Sequence, residues 1–326
     1  MKKLFAIVLS LCLLFSLAAC AGTPQDTPAQ KVTIRVYGIK GPTAIGMTDL
    51  MQKAEAGTAK NNYTFELASS PDEVAGKLST GAVDIAAIPT NLAANLYAKT
   101  KGSVVMLAAN TQGTLTFLEN GNTVQSVADL RGKTVYASGQ GSNPEYILRY
   151  ILNKNGIDPD KDLTINFVGT NDELSNLVAN GTAKLAMIPQ PAATAAMVKN
   201  ADLRIALDIN AAWNAVAPTG SLIMGCVVVR KAFLEENKAA VDAFLTEYKT
   251  SIEATADVDA TAALCEKYGI IAKAAIAKKA IPHCNIAFLE GTDMQTKVSA
   301  YLQVLFDAKP QAVGGAMPDD AFYYNK

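Results

Sequence analysis

The chain repeats itself once, about a hundred residues apart, and that repeat constrains its fold more than any other feature of the sequence. At an offset of 100, Asp72-Glu73 matches Asp172-Glu173, Gly81 matches Gly181, and Ile88-Pro89 matches Ile188-Pro189. Across residues 72–93, seven of 22 positions are identical, and most others keep their apolar or small character. Upstream, Val36-Tyr37 matches Val135-Tyr136 at an offset of 99. Many short copies would stack into a solenoid, whereas a single long repeat gives two related lobes.

Both copies read alike. A strand opens each, at 32–37 and 134–137, followed by a glycine-bearing loop, 38–46 and 138–143, and a helix, 47–56 and 144–155. A second strand follows at 63–68 and 163–168. The next helix starts at Ser70-Pro71-Asp72-Glu73 or Asn171-Asp172-Glu173, where first-turn acids suit the positive end of the helix dipole. Gly81 and Gly181 stand where such helices stop, and a third strand runs into a proline turn. Strands alternating with helices predict parallel sheets with helices on both faces, hence an α/β fold of two Rossmann-like lobes. In such sheets ligands bind beyond the carboxyl ends of the strands, here the loops 39–46, 89–91, 138–143 and 190–191.

Beyond the second copy, 203–208 and 222–230 read as strands and 210–221 as a turn-rich stretch holding the one tryptophan, Trp213. Residues 231–256 read as one long helix with Phe233, Val241, Phe244, Leu245 and Tyr248 on its apolar side, and helices follow near 260–266, 272–280 and 292–306. The strand after 221 has no partner in a simple tandem, so the chain is expected to return to the first lobe. This gives 32–113 plus 220–326 as lobe one and 114–219 as lobe two, with crossings near 110–118 and 209–221. Two crossing strands make a hinge.

The chain starts with Lys2-Lys3 and an apolar run over 4–19 that ends Leu17-Ala18-Ala19-Cys20. A basic start, an apolar stretch and small residues before a cut are the order of a secretory signal, and about 16 residues fall short of the roughly 20 that span a bilayer. The end of the run is similar to a bacterial lipobox. Residues 1–19 thus read as signal peptide, Cys20 as the lipidated new N-terminus, and 20–31, with two prolines, as a flexible tether. Losing 1–19 removes two lysines and no acid and takes the net charge from −1 to −3. That leaves no basic excess to attract nucleic acid. Cys226, Cys265 and Cys284 remain. Cys226 sits in an apolar run and reads as core, and a Cys265–Cys284 bridge is open.

Four segments carry a resemblance: 81–86 (GAVDIA), 129–135 (DLRGKTV), 156–159 (GIDP), and 181 through Gln190-Pro191-Ala192. In this order they resemble the periplasmic-binding-protein type 2 superfamily, in particular the sulfonate, nitrate and thiamine-precursor branch of ABC transporter solute-binding proteins, over about 32–250. Lys184 stands where that family often carries an acid, as Asp84 does in the first copy. The resemblance implies a monomeric receptor anchored by lipid to the outer face of the cell membrane, no cofactor, and a permease with a cytoplasmic ATPase as partners. A sensory receptor serving a membrane kinase or chemoreceptor is the alternative.

The candidate ligand contacts are Thr43 and Ala44 in the first loop, Thr90 and Asn91 after the third strand, and Thr111 and Gln112 at the first crossing. In the second copy they are Gly141, Ser142 and Asn143, and Gln190 in the place of Thr90. Trp213 is a candidate to stack on a flat ligand. Gly139 to Pro144 begins like a dinucleotide loop, but proline replaces its third glycine. A single histidine, His283, weakens Ser-His-Asp and Cys-His chemistry, so a catalytic role is not expected. These loops are rich in Thr, Ser, Asn and Gly, with Lys40 their one cation. A neutral or anionic small organic ligand is therefore expected rather than a cation, which would need acids or an aromatic cage.

Overall fold

The computed structural model describes residues 31–325 except 69, 70, 218 and 220. The expected signal peptide, Cys20 and the tether up to residue 30 therefore lie outside the described residues. The first lobe opens with β1 (Thr33–Ile39), α1 (Pro42–Ile45), α2 (Thr48–Glu55), β2 (Asn62–Ala68), α3 (Pro71–Thr80), β3 (Ile85–Pro89), α4 (Thr90–Lys99) and β4 (Val104–Thr111). The second contains β5 (Leu115–Asn120), β6 (Thr134–Ser138), α5 (Asn143–Lys154), β7 (Thr164–Val168), α6 (Asn171–Ala179), β8 (Leu185–Pro189), α7 (Ala192–Lys199) and β9 (Leu203–Asp208). After α8 (Ile209–Asn214) come β10 (Gly225–Arg230), α9 (Lys231–Glu236), α10 (Lys238–Glu253), α11 (Val258–Lys267), α12 (Ala274–Ala280), β11 (Ile286–Leu289) and α13 (Gly291–Ala308).

Two sheets result, ordered β11-β4-β10-β3-β1-β2 and β7-β6-β8-β5-β9. The repeat is visible in them: β1 pairs in parallel with β2 and β3, and β6 does the same with β7 and β8. The sheets are mixed rather than mainly parallel. β10 runs antiparallel to β3 and β4, and β5 runs antiparallel to β8 and β9. The cause is connectivity. A strand delivered from the other lobe enters at the carboxyl edge, where the native strands end, and must run against them.

Side chains alternate between the faces of each strand. On β1, Ile34 and Val36 join one buried cluster while Tyr37 joins another. That second cluster is continuous between the lobes, taking in Met106 and Val228 of the first sheet and Phe117, Val135 and Met187 of the second. Ile209, Trp213 and Leu222 from the returning segment belong to it as well. Trp213 is 1% exposed, with its ring centroid 4.7 Å from that of Tyr150 on α5 and 5.7 Å from that of Tyr301 on α13. Its Nε1–H donates to the Ser221 carbonyl. It is a core residue under the hinge.

Other expectations change in detail. The long helix over 231–256 is broken at Asn237, whose φ of −131° and ψ of 37° are not helical and whose side-chain amide bonds the Phe233 carbonyl. All five of its expected apolar residues are buried. The stretch 47–56 is preceded by a separate turn of helix started by Pro42. The short edge strand β11 went unanticipated. Cys226, Cys265 and Cys284 are buried free thiols, so the open 265–284 bridge is absent.

At the amino edge of the first sheet, Asp84 is 1% exposed and holds two arginines. It accepts from Arg35 N at 3.0 Å, Arg35 Nε at 2.8 Å, Arg35 Nη2 at 2.7 Å and Arg230 Nη2 at 2.8 Å. Burial alone would raise this carboxyl's pKa, but the hydrogen bonds from both arginines and the Arg35 charge hold it below its ordinary value. The clamp ties β1 and β10 to the start of β3, so it joins the first pass of the chain to its return. Lys184 in the second lobe leaves no such acid. There Glu119 on β5, 3% exposed, takes the role and accepts from Arg204 on β9 and from the Thr123 and Val124 amides.

Two outcomes are expected. Asp84→Asn lowers stability by about 3 kcal/mol, the low end for a broken buried pair because Arg35 is partly in water. A native carboxyl with a depressed pKa stabilises the fold above the unfolded pKa of about 3.9 and loses this effect as pH falls through its native pKa. The gap between wild type and variant in urea melts is therefore constant from pH 5 to 8 and closes below about pH 4. Trp213→Ala lowers stability by about 3–5 kcal/mol in the same assay, the cost of an emptied aromatic core site.

Candidate functional site

The carboxyl ends of both sheets face a cleft of about 660 Å³, within the range of small-molecule sites. The first lobe contributes Pro42 and Thr43 from α1, Pro89, Asn91 and Leu92 from the β3–α4 junction, and Thr111 from the end of β4. Thr114, Leu115 and Met224 come from the crossings. The second lobe supplies Ser138, Gly139, Ser142, Asn143 and Pro144 between β6 and α5, Gly169 to Asn171 before α6, and Pro189. Prolines, leucines and Met224 make the walls apolar, and amides and hydroxyls are set among them.

The crossings position this lining. Thr90 N–H donates to the Met224 carbonyl at 3.1 Å, and at the repeat-equivalent place Gln190 N–H donates to the Thr114 carbonyl at 2.9 Å. Each lobe's third strand thus turns into the cleft against the strand arriving from the other lobe. Side chains crowd both crossings: a Cβ on Gly225 would stand 2.7 Å from Asn110 Oδ1 and 2.9 Å from Thr111 Cβ, which leaves no room for a side chain, whereas one on Gly113 would stand 2.7 Å from the movable end of Leu222. Asn110 fixes the floor: its Nδ2 donates to the Thr43 carbonyl and the Tyr248 hydroxyl, and its Oδ1 accepts from Thr111.

Among the described residues, one direct bond joins the two sets of loops across the cleft. Asn143 Nδ2, at the start of α5, donates to Asn91 Oδ1, at the start of α4, at 2.8 Å. Asn143 is 8% exposed, and its Oδ1 is buried without a partner. On the same side, Ser138 donates to Asn171 Oδ1 and Ser142 donates to the Gly139 carbonyl. The positive φ of Gly139, 79°, gives the tight turn that presents Ser142 and Asn143.

The sequence-derived candidates separate into two groups. Thr43, Asn91, Thr111, Ser142 and Asn143 come together in this lining. Ala44 is buried on the inner side of α1, and Thr90 is fully buried behind Asn91. Gln112 is not part of this lining and donates its backbone N–H to the Asn285 carbonyl, and Gly141 is exposed with its N–H on Glu145 Oε2. Gln190 is 3% exposed and its Oε1 accepts from Thr194 N and Oγ1, so the side chain folds back on its own segment. Trp213 lies in the core, away from the cleft. His283 is an exposed residue of a short turn outside this lining. The sequence reading named Ser138 only as part of its loop and missed Thr114, Met224 and the 169–171 loop. Thr170, a side-chain helix cap just after the second strand, was the available signal for that loop.

Comparison with known proteins agrees with this architecture. The family model described as "ABC transporter, phosphonate, periplasmic substrate-binding protein" matches residues 48–277. A putative binding protein of Bacillus subtilis (strain 168), YtlA, is 27% identical over 199 residues, covering 58% of this chain and 57% of that relative. The match thus spans little more than half the length of the curated relative. An ABC transporter structure from Parabacteroides distasonis superposes with a TM-score of 0.78 at 25% identity, covering 91% of this chain and 100% of the other. The periplasmic aliphatic sulphonate binding protein SsuA of Escherichia coli gives 0.71 at 15% identity over 90% of this chain and 92% of its own, a likeness of fold. Among the described residues no helix is long and apolar enough to cross a membrane. With the family match covering most of the two-lobed body, the chain belongs to the phosphonate-type periplasmic substrate-binding proteins of ABC transporters.

Proposed function

We propose that this chain is an exported, lipid-anchored receptor that closes on a small neutral or anionic organic molecule between its lobes and delivers it to an ABC permease. A cytoplasmic ATPase behind that permease supplies the energy, and the receptor acts as a monomer that binds and releases without catalysis. The observation that carries this reading is the cleft itself, where loops from both copies of the repeat meet and one bond, Asn143 to Asn91, already spans them.

Capture follows from weak pre-existing closure. A neutral hydrogen bond contributes about 1 kcal/mol net, which tilts an open–closed equilibrium only about five-fold. The Asn91–Asn143 bond therefore cannot hold the lobes together alone, and a ligand touching both lobes shifts the balance by its preference for the closed state. Release to a permease needs only contacts that favour the open state.

The proposed binding residues are Thr43, Asn91, Thr111, Ser142 and Asn143, joined by Ser138 and Asn171. The proposed anchor is Cys20, whose acyl chains would hold the receptor at the membrane while the segment up to residue 31 serves as the tether.

Two measurements test these statements. Native mass spectrometry of the full chain, purified in detergent, is expected to show one small molecule per chain. The double variant Asn91→Ala/Asn143→Ala should lose it, with an unfolding free energy from urea melts within about 1 kcal/mol of wild type, because both side chains border the cleft. Equal occupancy in the double variant would place the ligand elsewhere. Cys20→Ala is expected to move the protein from the membrane fraction to the soluble fraction; retention at the membrane would show that anchoring does not depend on that thiol.

A further inference from the structure

Resting on the cleft reading above, we infer that the ligand is uncharged and donates N–H or O–H hydrogen bonds, and that the cleft discriminates against sulfonates, phosphonates and similar anions.

Three observations carry this. Among the described residues, none of the cleft lining is a lysine, arginine, aspartate or glutamate. Lys40 is exposed and lies outside the lining.

The helix starts that could hold an anion on the second lobe are already supplied with carboxylates by the chain itself. Gly141 N–H, ahead of α5, donates to Glu145 Oε2 at 2.7 Å. Gly169 N–H, ahead of α6, donates to Glu173 Oε2 at 3.0 Å. Each acid sits in the first turn of its helix and offsets the positive end of the dipole. Glu145 is also paired with Arg149 and lies outside the lining, so at the cleft itself it is Glu173, bound to the lining residue Gly169, that occupies an N–H an anion would need.

Most hydroxyls of the lining are turned the wrong way for an anion. Of its six hydroxyls, five donate to the protein: Thr43 to the Ile39 carbonyl, Thr111 to Asn110 Oδ1, Thr114 to Met224 Sδ, Ser138 to Asn171 Oδ1 and Ser142 to the Gly139 carbonyl. The sixth, Thr170, accepts from Glu173 N. With their protons committed, the first five oxygens offer lone pairs to the cleft. The buried Asn143 Oδ1, unpartnered and more than nine-tenths buried, adds an acceptor at the point where the lobes meet. An unmet buried acceptor is costly, and a ligand N–H or O–H placed there removes that cost. Leu92, Leu115, Met224 and the prolines accommodate an apolar body of modest size.

The test sets two size-matched panels against the full chain by thermal shift and calorimetry: uncharged primary amides, ureas and lactams, and alkyl and aryl sulfonates and phosphonates. Members of the uncharged panel are expected to bind at least ten-fold more tightly than their anionic counterparts. Asn143→Leu should abolish that binding and Asn143→Asp, which keeps an acceptor oxygen, should retain it. Glu173→Gln should improve binding of the anions. Tighter binding of a sulfonate or phosphonate to wild type, lost in Asn91→Ala/Asn143→Ala, would overturn the inference and leave the receptor reading standing. Binding of either panel that survives every cleft variant would overturn both, as would silence from both panels together with no small molecule released from the purified chain.

Discussion

Each lobe is completed by a strand that belongs, in chain order, to the other. β10 lies between β3 and β4 and is hydrogen-bonded on both sides, although the chain reaches it only after building the whole second lobe. β5 plays the same part in the second sheet. Everything functional follows from this exchange. The crossings must lie at the carboxyl edges, the loops after the third strands must abut them, and the two sets of loops must face each other. The Asp84 clamp is the electrostatic counterpart, since its two arginines lie on the first strand of the fold and on the strand that returns to it. Pairing over such sequence distances makes loop closure, rather than local propensity, the slow part of folding.

The copies have kept this geometry while exchanging the residues that maintain it. The first lobe places its buried acid at the start of β3, and the second places one at the end of β5, paired to β9. Both solutions pin an incoming strand to its neighbour. Thr90 and Gln190, which share almost no side-chain chemistry, make the same backbone bond at the same place. What the repeat preserves is the path of the chain.

That explains what the sequence could and could not reveal. Strand–helix alternation, the return to the first lobe and the loops that hold Thr43, Asn91 and Ser142 were legible, because they follow from spacing and from where parallel strands end. Direction within the sheets was not, since it depends on the edge from which a crossing strand arrives. Side-chain orientation at the site was equally hidden. Gln190 occupies the right place yet folds back on Thr194, and Trp213 lies on a helix of six residues, too short for periodicity to say which side faces inward. The loop ending in Asn171 was read only as a helix start, although it too lies at the carboxyl end of a strand. β11 has four residues at a sheet edge and no alternation to announce it.

Trp213 is the one tryptophan in the chain, and it rests between a tyrosine from each lobe. The molecule therefore contains its own optical gauge. Light absorbed by Tyr150 or Tyr301 reaches a single emitter buried at the joint, and a small rotation of one half against the other alters the two donor geometries unequally. Motion between the halves is readable by fluorescence without attaching a dye.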